Sequence, residues 1–437
     1  MAKHLTFSPS ILLDILMGLP RARAYWVALS GGADSVALLC SLATIQTQLP
    51  APLKAIHINH GLQPQAVEWA DFCRNLCLEL RVPCEVVSVN IERNIGESLE
   101  ATARHSRYQA IRNHLGAGEA VITAHHQDDQ AETVLLHLIK GAGASGLAAM
   151  PAWRSFGSGF LFRPLLSFRQ EQLRDWLSKG NVSWVEDESN KNLRYDRNYL
   201  RHEILPRLEE RRPGVISCLA RSAAHQASQR ELNIDLAKLD LVSVGESLSG
   251  TLAIDKLLKL TPARRNNLLY WWLRNRGLKV IPSQRQLETL YQDVLLAGSN
   301  AHPELKMGDV LLRRHQNSLY KTMLREYPPI NGEEWKLNGP LELPQHGLYL
   351  EPQALLRIFT EFDASTVLTI RFRQSGERFK PVGSPHTRSL KQLFQEWRVP
   401  AWKRDRVGLI YHQEELVMIL GYARVDSLQH CTYVAQT

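Results

Sequence analysis

The hexapeptide Ser30-Gly31-Gly32-Ala33-Asp34-Ser35 constrains this chain more than any other stretch, because of what flanks it. Before it, Tyr25 to Leu29 reads as a buried strand, and after it Val36, Leu39, Cys40 and Ala43 recur at helical spacing. A glycine turn between a strand and a helix start suits phosphate. The glycines let the backbone approach closely, the first helical N–H groups and the helix dipole favour an anion, and the serine hydroxyls add donors. Asp34 cannot bind phosphate directly, so its natural task is a bridging Mg2+. The Gly-Lys-Ser/Thr ending of a Walker A loop is missing, so no lysine here reaches a γ-phosphate. The bland alternative is a tight turn with Asp34 as an early helix acid favoured by the dipole.

The alternation of strand, loop and helix continues, with strands near Leu53 to Asn59, Cys84 to Asn90 and Ala120 to Ala124. It predicts an α/β fold with a doubly wound parallel sheet, whose ligands bind at the carboxyl ends of the strands. The first, second and fourth strands end in Ser30-Gly31-Gly32, Asn59-His60-Gly61 and His125-His126. Pro206 to Pro213, with its Glu and Arg cluster, reads as the end of this nucleotide domain. Helical patterns dominate from Val215 to about Ala297, including Arg264 to Arg276, whose Tyr270-Trp271-Trp272 stripe reads as core rather than an RNA-stacking platform. Val310 to Thr322 looks like a hairpin, and Glu326 to Pro344 like a second boundary. The expected domains are an ATP-binding catalytic domain over 1–212, a mostly helical middle domain over 213–325 and a small mixed α/β domain over 326–437. A length of 437 residues also favours more than one core.

Two further clusters carry chemistry. In His125-His126-Gln127-Asp128-Asp129-Gln130-Ala131-Glu132-Thr133, Asp129 and Glu132 share a helical face, while Val134, Leu135, Leu138 and Ile139 supply a core face. Two carboxylates facing a cleft suit Mg2+ or an ammonium group. Asp128 reads as a cap, and strand-end packing stands beside any functional role for the two histidines. Farther on, the acidic Glu186-Asp187-Glu188 precedes Arg197 and Arg201, one helical turn apart. These arginines suit either a pyrophosphate or RNA phosphate clamp, or a solvated helix laced by ion pairs.

The remaining features exclude more than they select. The longest apolar runs, near Val36 to Cys40 and Val134 to Ile139, fall far short of the roughly 20 residues a membrane span needs. Met1 to Pro20 lacks a signal-peptide core and cleavage site, so a cytoplasmic location is expected. Cys40, Cys73, Cys77, Cys84, Cys218 and Cys431 form no matched C-x-x-C pairs, and Cys73 and Cys77 read as core rather than metal ligands. The formal charge of +8 fits a polyanionic partner. Ten basic residues (Arg371, Arg373, Arg378, Lys380, Arg388, Lys391, Arg398, Lys403, Arg404 and Arg406) stand against three acidic ones between Arg371 and Arg406.

S-G-G-A-D-S at Ser30, H-I-N-H-G-L at His57, A-R-H-S-R-Y at Ala103, H-H-Q-D-D-Q-A-E-T at His125, D-E-S-N at Asp187 and R-N-Y-L-R at Arg197 together resemble the bacterial tRNA(Ile)-lysidine synthetases. That family belongs to the PP-loop ATP pyrophosphatases. G-E-R-F at Gly376, S-L-K-Q-L-F-Q-E at Ser389 and V-P-A-W at Val399 are similar to its last domain, so the resemblance spans nearly the whole chain, thinning between about Gly214 and Met323. It implies a Rossmann-like catalytic domain using ATP and Mg2+. The implied reaction adenylates the C2 oxygen of the wobble cytidine in a CAU-anticodon isoleucine tRNA, after which the ε-amine of L-lysine displaces AMP. The chemistry is sound, since a cytosine carbonyl carbon is a poor electrophile until its oxygen becomes a good leaving group.

By the same resemblance, Ser30, Gly31, Gly32, Ala33, Asp34, Ser35, Arg104 and His125 are expected at the nucleotide, and Asp34 at the metal. Asp129 and Glu132 are expected to hold lysine's ammonium and help deprotonate it, with Arg197 steadying phosphates. Arg201, Arg378, Lys380 and Lys391 are expected on tRNA, and the later domains are the candidates for telling isoleucine from methionine tRNA. A homodimer is compatible with the sequence. The rivals are a PP-loop tRNA thiolase, which usually needs cysteine pairs missing here, and a non-catalytic tRNA-binding protein on a degenerate nucleotide fold.

Overall fold

The computed structural model describes residues 6–61, 65–89, 99–246, 250–274, 282–298, 301–324, 332–346, 348–374 and 376–424. Leu62, Asn90, Arg276, Cys431, the first five residues and the start of the boundary expected at Glu326 lie outside these. Two compact units result, Met1–Asp235 and Leu236–Thr437.

The first unit begins with α1 (Pro9–Met17), then alternates β1 (Tyr25–Ala28), α2 (Ala33–Thr44), β2 (Leu53–Asn59), α3 (Ala66–Glu79), β3 (Cys84–Ser88), α4 (Leu99–His114), β4 (Ala120–Ile122) and α5 (Gln127–Ile139). After the short α6 (Ala144–Leu147) come the hairpin strands β5 (Trp153–Phe156) and β6 (Gly159–Phe162), then α7 (Gln170–Lys179), α8 (Asp196–Tyr199), a π-helical turn Leu200–Ile204, α9 (Leu205–Arg211) and α10 (Val215–Val244). Thus Pro206, read as the start of the segment that ends the nucleotide domain, sits within a helical run directly after the π-helical turn, a place where a residue without an N–H is accommodated. Helix α10 runs across the division between the two units.

The sheet order is β3-β2-β1-β4-β6-β5, parallel except for the β5 edge. β1 is buried on both faces, as a central parallel strand must be. The chain steps from β1 to β2 to β3 on one side and then returns to the other side of β1 with β4. The crevice at such a reversal is where open α/β sheets bind ligands, and it lies between the Ser30 loop after β1 and His125-His126 after β4. The sequence did not disclose the β5–β6 hairpin, whose turn uses Gly157 at φ +61° and whose outward positions 153–155 are polar or exposed.

Helices cover both faces. On one, Leu12, Leu16, Val36, Leu39, Leu42, Leu173 and Leu177 pack with Tyr25 and Val27. On the other, Trp26, Ile56, Ile58, Val121 and Leu161 receive Ile111 of α4 and Leu115 just after it. α2 is buried along Val36–Leu42, because α1 and α7 pack over the side that the sheet leaves. This packing fixes the direction of the helix start that meets the Ser30 loop.

In the second unit, helices Ile254–Lys259, Pro262–Arg274 and Gln284–Thr289 pack on an antiparallel sheet of order β7-β10-β9-β8, with β7 (Leu252–Ala253), β8 (Glu304–Met307), β9 (Val310–His315) and β10 (Ser318–Met323). The expected hairpin is β9–β10, turning at Gln316 with φ +52°; two neighbouring strands join it. Trp272 is buried in this core, with its indole N–H donating to Glu246. A further antiparallel sheet follows in chain order: Glu333–Lys336, Val367–Phe372, Gly408–His412, Glu415–Ile419 and Ala423–Arg424. Helix Leu390–Glu396 and the strand pair Arg378–Phe379 and Arg388–Ser389 pack nearby.

Candidate active site

Gly31 adopts φ +88°, a conformation that suits glycine, and its carbonyl accepts the Val185 N–H at 2.9 Å. A Cβ at Gly31 would lie 3.5 Å from Cys73 Sγ and 3.6 Å from Phe72 Cδ1 and Val185 Cγ2, so the turn is wedged between α3 and the chain before Asp187. Ser35 is buried; its hydroxyl accepts the Ser30 N–H at 3.1 Å and donates to the Gly32 carbonyl at 2.9 Å. It therefore shapes the loop from within. Ser30 is exposed, with its Oγ 3.1 Å from that of Ser35.

The loop fits a polyphosphate. Gly32 caps α2, and the amides of the helix's first turn have no intrahelical acceptor. Asp34, part-exposed in that turn, fits an Mg2+ shared with phosphate oxygens. Among the described residues, no group of three or more His, Cys, Asp or Glu side chains could hold a metal ion by itself.

At the start of α5 a buried ionic network faces this loop. His126 has 1 % of its surface exposed. Its Nε2 lies 3.5 Å from both Asp34 Oδ2 and Asp129 Oδ2, and its Nδ1 lies 3.4 Å from Asp128 Oδ2, in contacts that are ionic rather than well-aimed hydrogen bonds. Burial alone would lower its pKa, but Asp129, then Asp128 and Asp34, outweigh that and hold it at about 10. The three carboxylates thus favour the imidazolium form of this buried side chain. Gln170, at the start of α7, donates its amide to both Asp34 oxygens at 3.0 and 3.2 Å, and its backbone N–H to Asp128 at 2.8 Å. Arg169 adds a 3.2 Å bond to Asp128.

Asp129 and Glu132 converge on two guanidiniums. Arg197 Nε donates to Glu132 Oε2 at 2.6 Å and its Nη2 to Asp129 Oδ1 at 3.0 Å. Arg201 donates to both Glu132 oxygens and, at 3.0 Å, to the same Asp129 oxygen. Asp129 also accepts the His126 N–H at 3.0 Å. Its burial would raise the carboxyl pKa, but His126 and Arg197 reverse the effect and hold it well below the usual range. Glu132 has no exposed surface, whereas the two arginine side chains remain about a quarter exposed, at 24 % and 28 %.

These contacts sort the expected residues. Asp34, Asp129, Glu132 and Arg197 come together. Arg201, expected on RNA, is committed to the same carboxylates, because its position one turn after Arg197 puts both on the helix face turned to α5. His125 bonds Thr123 Oγ1 through Nδ1 at 2.8 Å, and burial, opposed by Asp129 but aided by Arg163 and Arg104, pushes its pKa down to about 3. Arg104 lies over the Tyr108 ring, 5.1 Å from its centroid. In the second unit Arg378, Lys380 and Lys391 are exposed, whereas Arg371, Arg373 and Arg388 pair with Glu414, Asp405 and Glu396. His126 was visible in the sequence only as half of a histidine pair; Arg169 and Gln170 carried no signal, because their partners lie up to 136 residues away.

Comparison with known proteins agrees with this geometry. Residues 10–208 match the PP-loop domain family, 252–320 the TilS substrate binding domain and 368–431 the TilS substrate C-terminal domain. A tRNA(Ile)-lysidine synthase of Coxiella burnetii is 40% identical over 97% of this chain and 94% of its own length. One from Alkalilimnicola ehrlichii is 41% identical over 97% of this chain and 96% of its own, and one from Pectobacterium atrosepticum 38% over 90% and 89%. With a phosphate loop and an acid–guanidinium network at one sheet edge, and relatives matched along nearly its full length, the chain belongs to the tRNA(Ile)-lysidine synthase family.

Proposed function

We propose that the chain joins the ε-amino nitrogen of L-lysine to C2 of the wobble cytidine in a CAU-anticodon isoleucine tRNA, with ATP cleaved to AMP and pyrophosphate. The observation that carries this reading is the meeting of Asp34 and Asp129 across His126, which puts a phosphate loop and a carboxylate pair within one crevice. In the first half-reaction the cytidine O2 bonds to the α-phosphorus of ATP and pyrophosphate leaves. In the second, the lysine nitrogen bonds to C2, the C2–O2 bond breaks, O2 departs with AMP, and the nitrogen loses a proton.

The chain's own residues divide this work. Ser30, Gly31, Gly32, Ala33 and the amides beyond them hold phosphate oxygens, and Ser35 keeps the loop closed around Gly32. Mg2+, held by Asp34, would neutralise charge on those oxygens. Gln170 and His126 keep the Asp34 carboxylate aimed while it waits. Asp129 faces lysine, but it and the buried Glu132 are both already held by guanidinium. An arriving phosphate group draws Arg197 outward and leaves Asp129 Oδ1 with Arg201 alone, which opens one lone pair for the ammonium and later for its proton. Glu132, wholly buried, acts as a positioning residue for both arginines. His125 and Arg104 line the nucleotide side. Arg378, Lys380 and Lys391 meet tRNA phosphates, in a chain organised as 1–212, 213–325 and 326–437 and acting in the cytoplasm.

Purified protein supplied with labelled lysine, ATP and unmodified transcripts tests the proposal. Label should enter the isoleucine CAU species, spare the methionine CAU species and depend on ATP. Label in neither, with both RNAs intact, would remove the reading.

A further inference from the structure

In the first unit Arg74, Arg169, Arg197, Arg201 and Arg207 are each paired with a carboxylate. The face formed by α4 and the β5–β6 hairpin departs from this. Tyr108 and Phe156 meet there edge to face, with centroids 5.9 Å apart. The Arg104 guanidinium lies 5.1 Å from the Tyr108 centroid, and those of Arg112 and Arg154 each lie 5.3 Å from the Phe156 centroid. Among the described residues none of the three has a carboxylate within ion-pair distance. Arg163, 5 % exposed at the end of β6, donates through Nη1 to the Pro151 carbonyl at 2.9 Å, while its Nε has no partner. Its charge is felt by Arg104 and Arg154, and burial with those neighbours lowers its pKa to about 10.

The positions are built rather than incidental. Gly157 turns the hairpin so tightly against α4 that a Cβ there would lie 3.0 Å from Arg112 Cγ, which pins the stem of that arginine and leaves its head outside. Two guanidiniums share the Phe156 ring, so an anion arriving beside that ring meets both charges. The face also has a direction. Arg163 follows β6 at the carboxyl edge of the sheet, beside His125, and Arg104 joins it there, whereas Phe156 pairs with Gly159 at the opposite end of the hairpin. The cations thus extend from the reaction crevice down one side of the sheet. Arginine on aromatic rings, with forked donors outward, is the chemistry that holds an RNA backbone and its unstacked bases.

Resting on the function proposed above, we infer that Arg154 and Arg112, continuing from Arg104 over the buried charge of Arg163, form a track for consecutive phosphates of the substrate RNA beside the wobble position, separate from the basic residues of the second unit. Binding of tRNA is therefore measured as a function of salt for the wild type, for Arg112→Ala/Arg154→Ala and for Arg112→Lys/Arg154→Lys. Each lost contact to single-stranded phosphate should reduce the slope of log K against log salt by about 0.7, so the alanine pair should lose about 1.4 in slope and bind roughly tenfold more weakly, by similar factors for isoleucine and unrelated tRNA. The lysine pair should keep most of the slope, and ATP affinity should stay unchanged in both. If the full-length alanine pair does not fold, Arg154→Ala alone, on an exposed edge strand, should lose about 0.7 in slope. An unchanged slope in whichever alanine variant folds overturns the track, as does binding lost equally by the lysine pair. Lysidine formation by the wild type, followed in parallel, separates this failure from failure of the function itself.

Discussion

Three carboxylates surround His126 where water cannot screen them, and they favour a charged ring there against the cost of burial. Its neighbour His125 stays neutral for the opposite reason, being buried beside arginines. Two adjacent histidines are thus expected to titrate far apart. In nitrogen-labelled NMR, the His126 ring should remain protonated past pH 9 and the His125 ring should remain neutral down to about pH 4; both titrating near the ordinary 6.5 would contradict the network. The stability consequence has a defined sign. A histidine raised to about 10 adds stability that is complete below about pH 6.5 and is lost as pH climbs toward 10. The melting temperature of the wild type should therefore fall more steeply between pH 7 and 10 than that of His126→Asn, and parallel curves would exclude a charged His126. At this scale the sequence was legible in type but not in pairing. It singled out Asp34, Asp129 and Glu132 from their helical positions, yet it could not show that a buried imidazolium joins the first two, since that contact depends on how β1 and β4 sit side by side.

Between elements, the decisive contact is α5 against α8 and the π-helical turn that follows, where Glu132 meets Arg197 and Arg201. Removing one partner of a buried ion pair leaves an uncompensated charge, which costs on the order of 3–5 kcal/mol. Glu132→Ala should lose about that much stability in denaturant unfolding, whereas Arg207→Ala, whose pair with Glu203 is largely exposed, should lose less than about 1 kcal/mol. The same contact sets an order of binding. If phosphate must draw an arginine away before lysine's ammonium reaches Asp129, then a non-hydrolysable ATP analogue should tighten lysine binding in calorimetry, and by linkage lysine should tighten the analogue by the same factor. Identical lysine affinities with and without the analogue would show that the guanidiniums do not gate the site. The parallel strands and the phosphate turn were readable because apolar periodicity and glycine spacing are local signals. The β5–β6 hairpin was not, because its exposed Trp153-Arg154-Ser155 lacks the alternation that marks a half-buried strand.

Across the whole molecule, the formal charge of +8 is divided unequally between two compact units, 25 Lys and Arg against 24 Asp and Glu in the first and 27 against 20 in the second. A fragment of residues 1–235, ending at the division between them, should unfold cooperatively and retain ATP binding, while losing the ability to separate isoleucine from methionine CAU tRNA. Selective lysidine formation by that fragment would place discrimination in the first unit. Charge and length suggested an RNA partner and several cores, but the strands flanking β9 and β10 escaped notice because β7 is two residues long and β8 four. Packing behind the phosphate turn also links the smallest scale to the largest. Cys73 presses its sulfur against Gly31 from a wholly enclosed position, and burial raises the thiol pKa to about 12, so almost no thiolate exists at neutral pH. Alkylating reagents and peroxides should consequently reach that sulfur only after the surrounding core has come apart, which makes its labelling rate a clock for the opening of the entire nucleotide-binding unit.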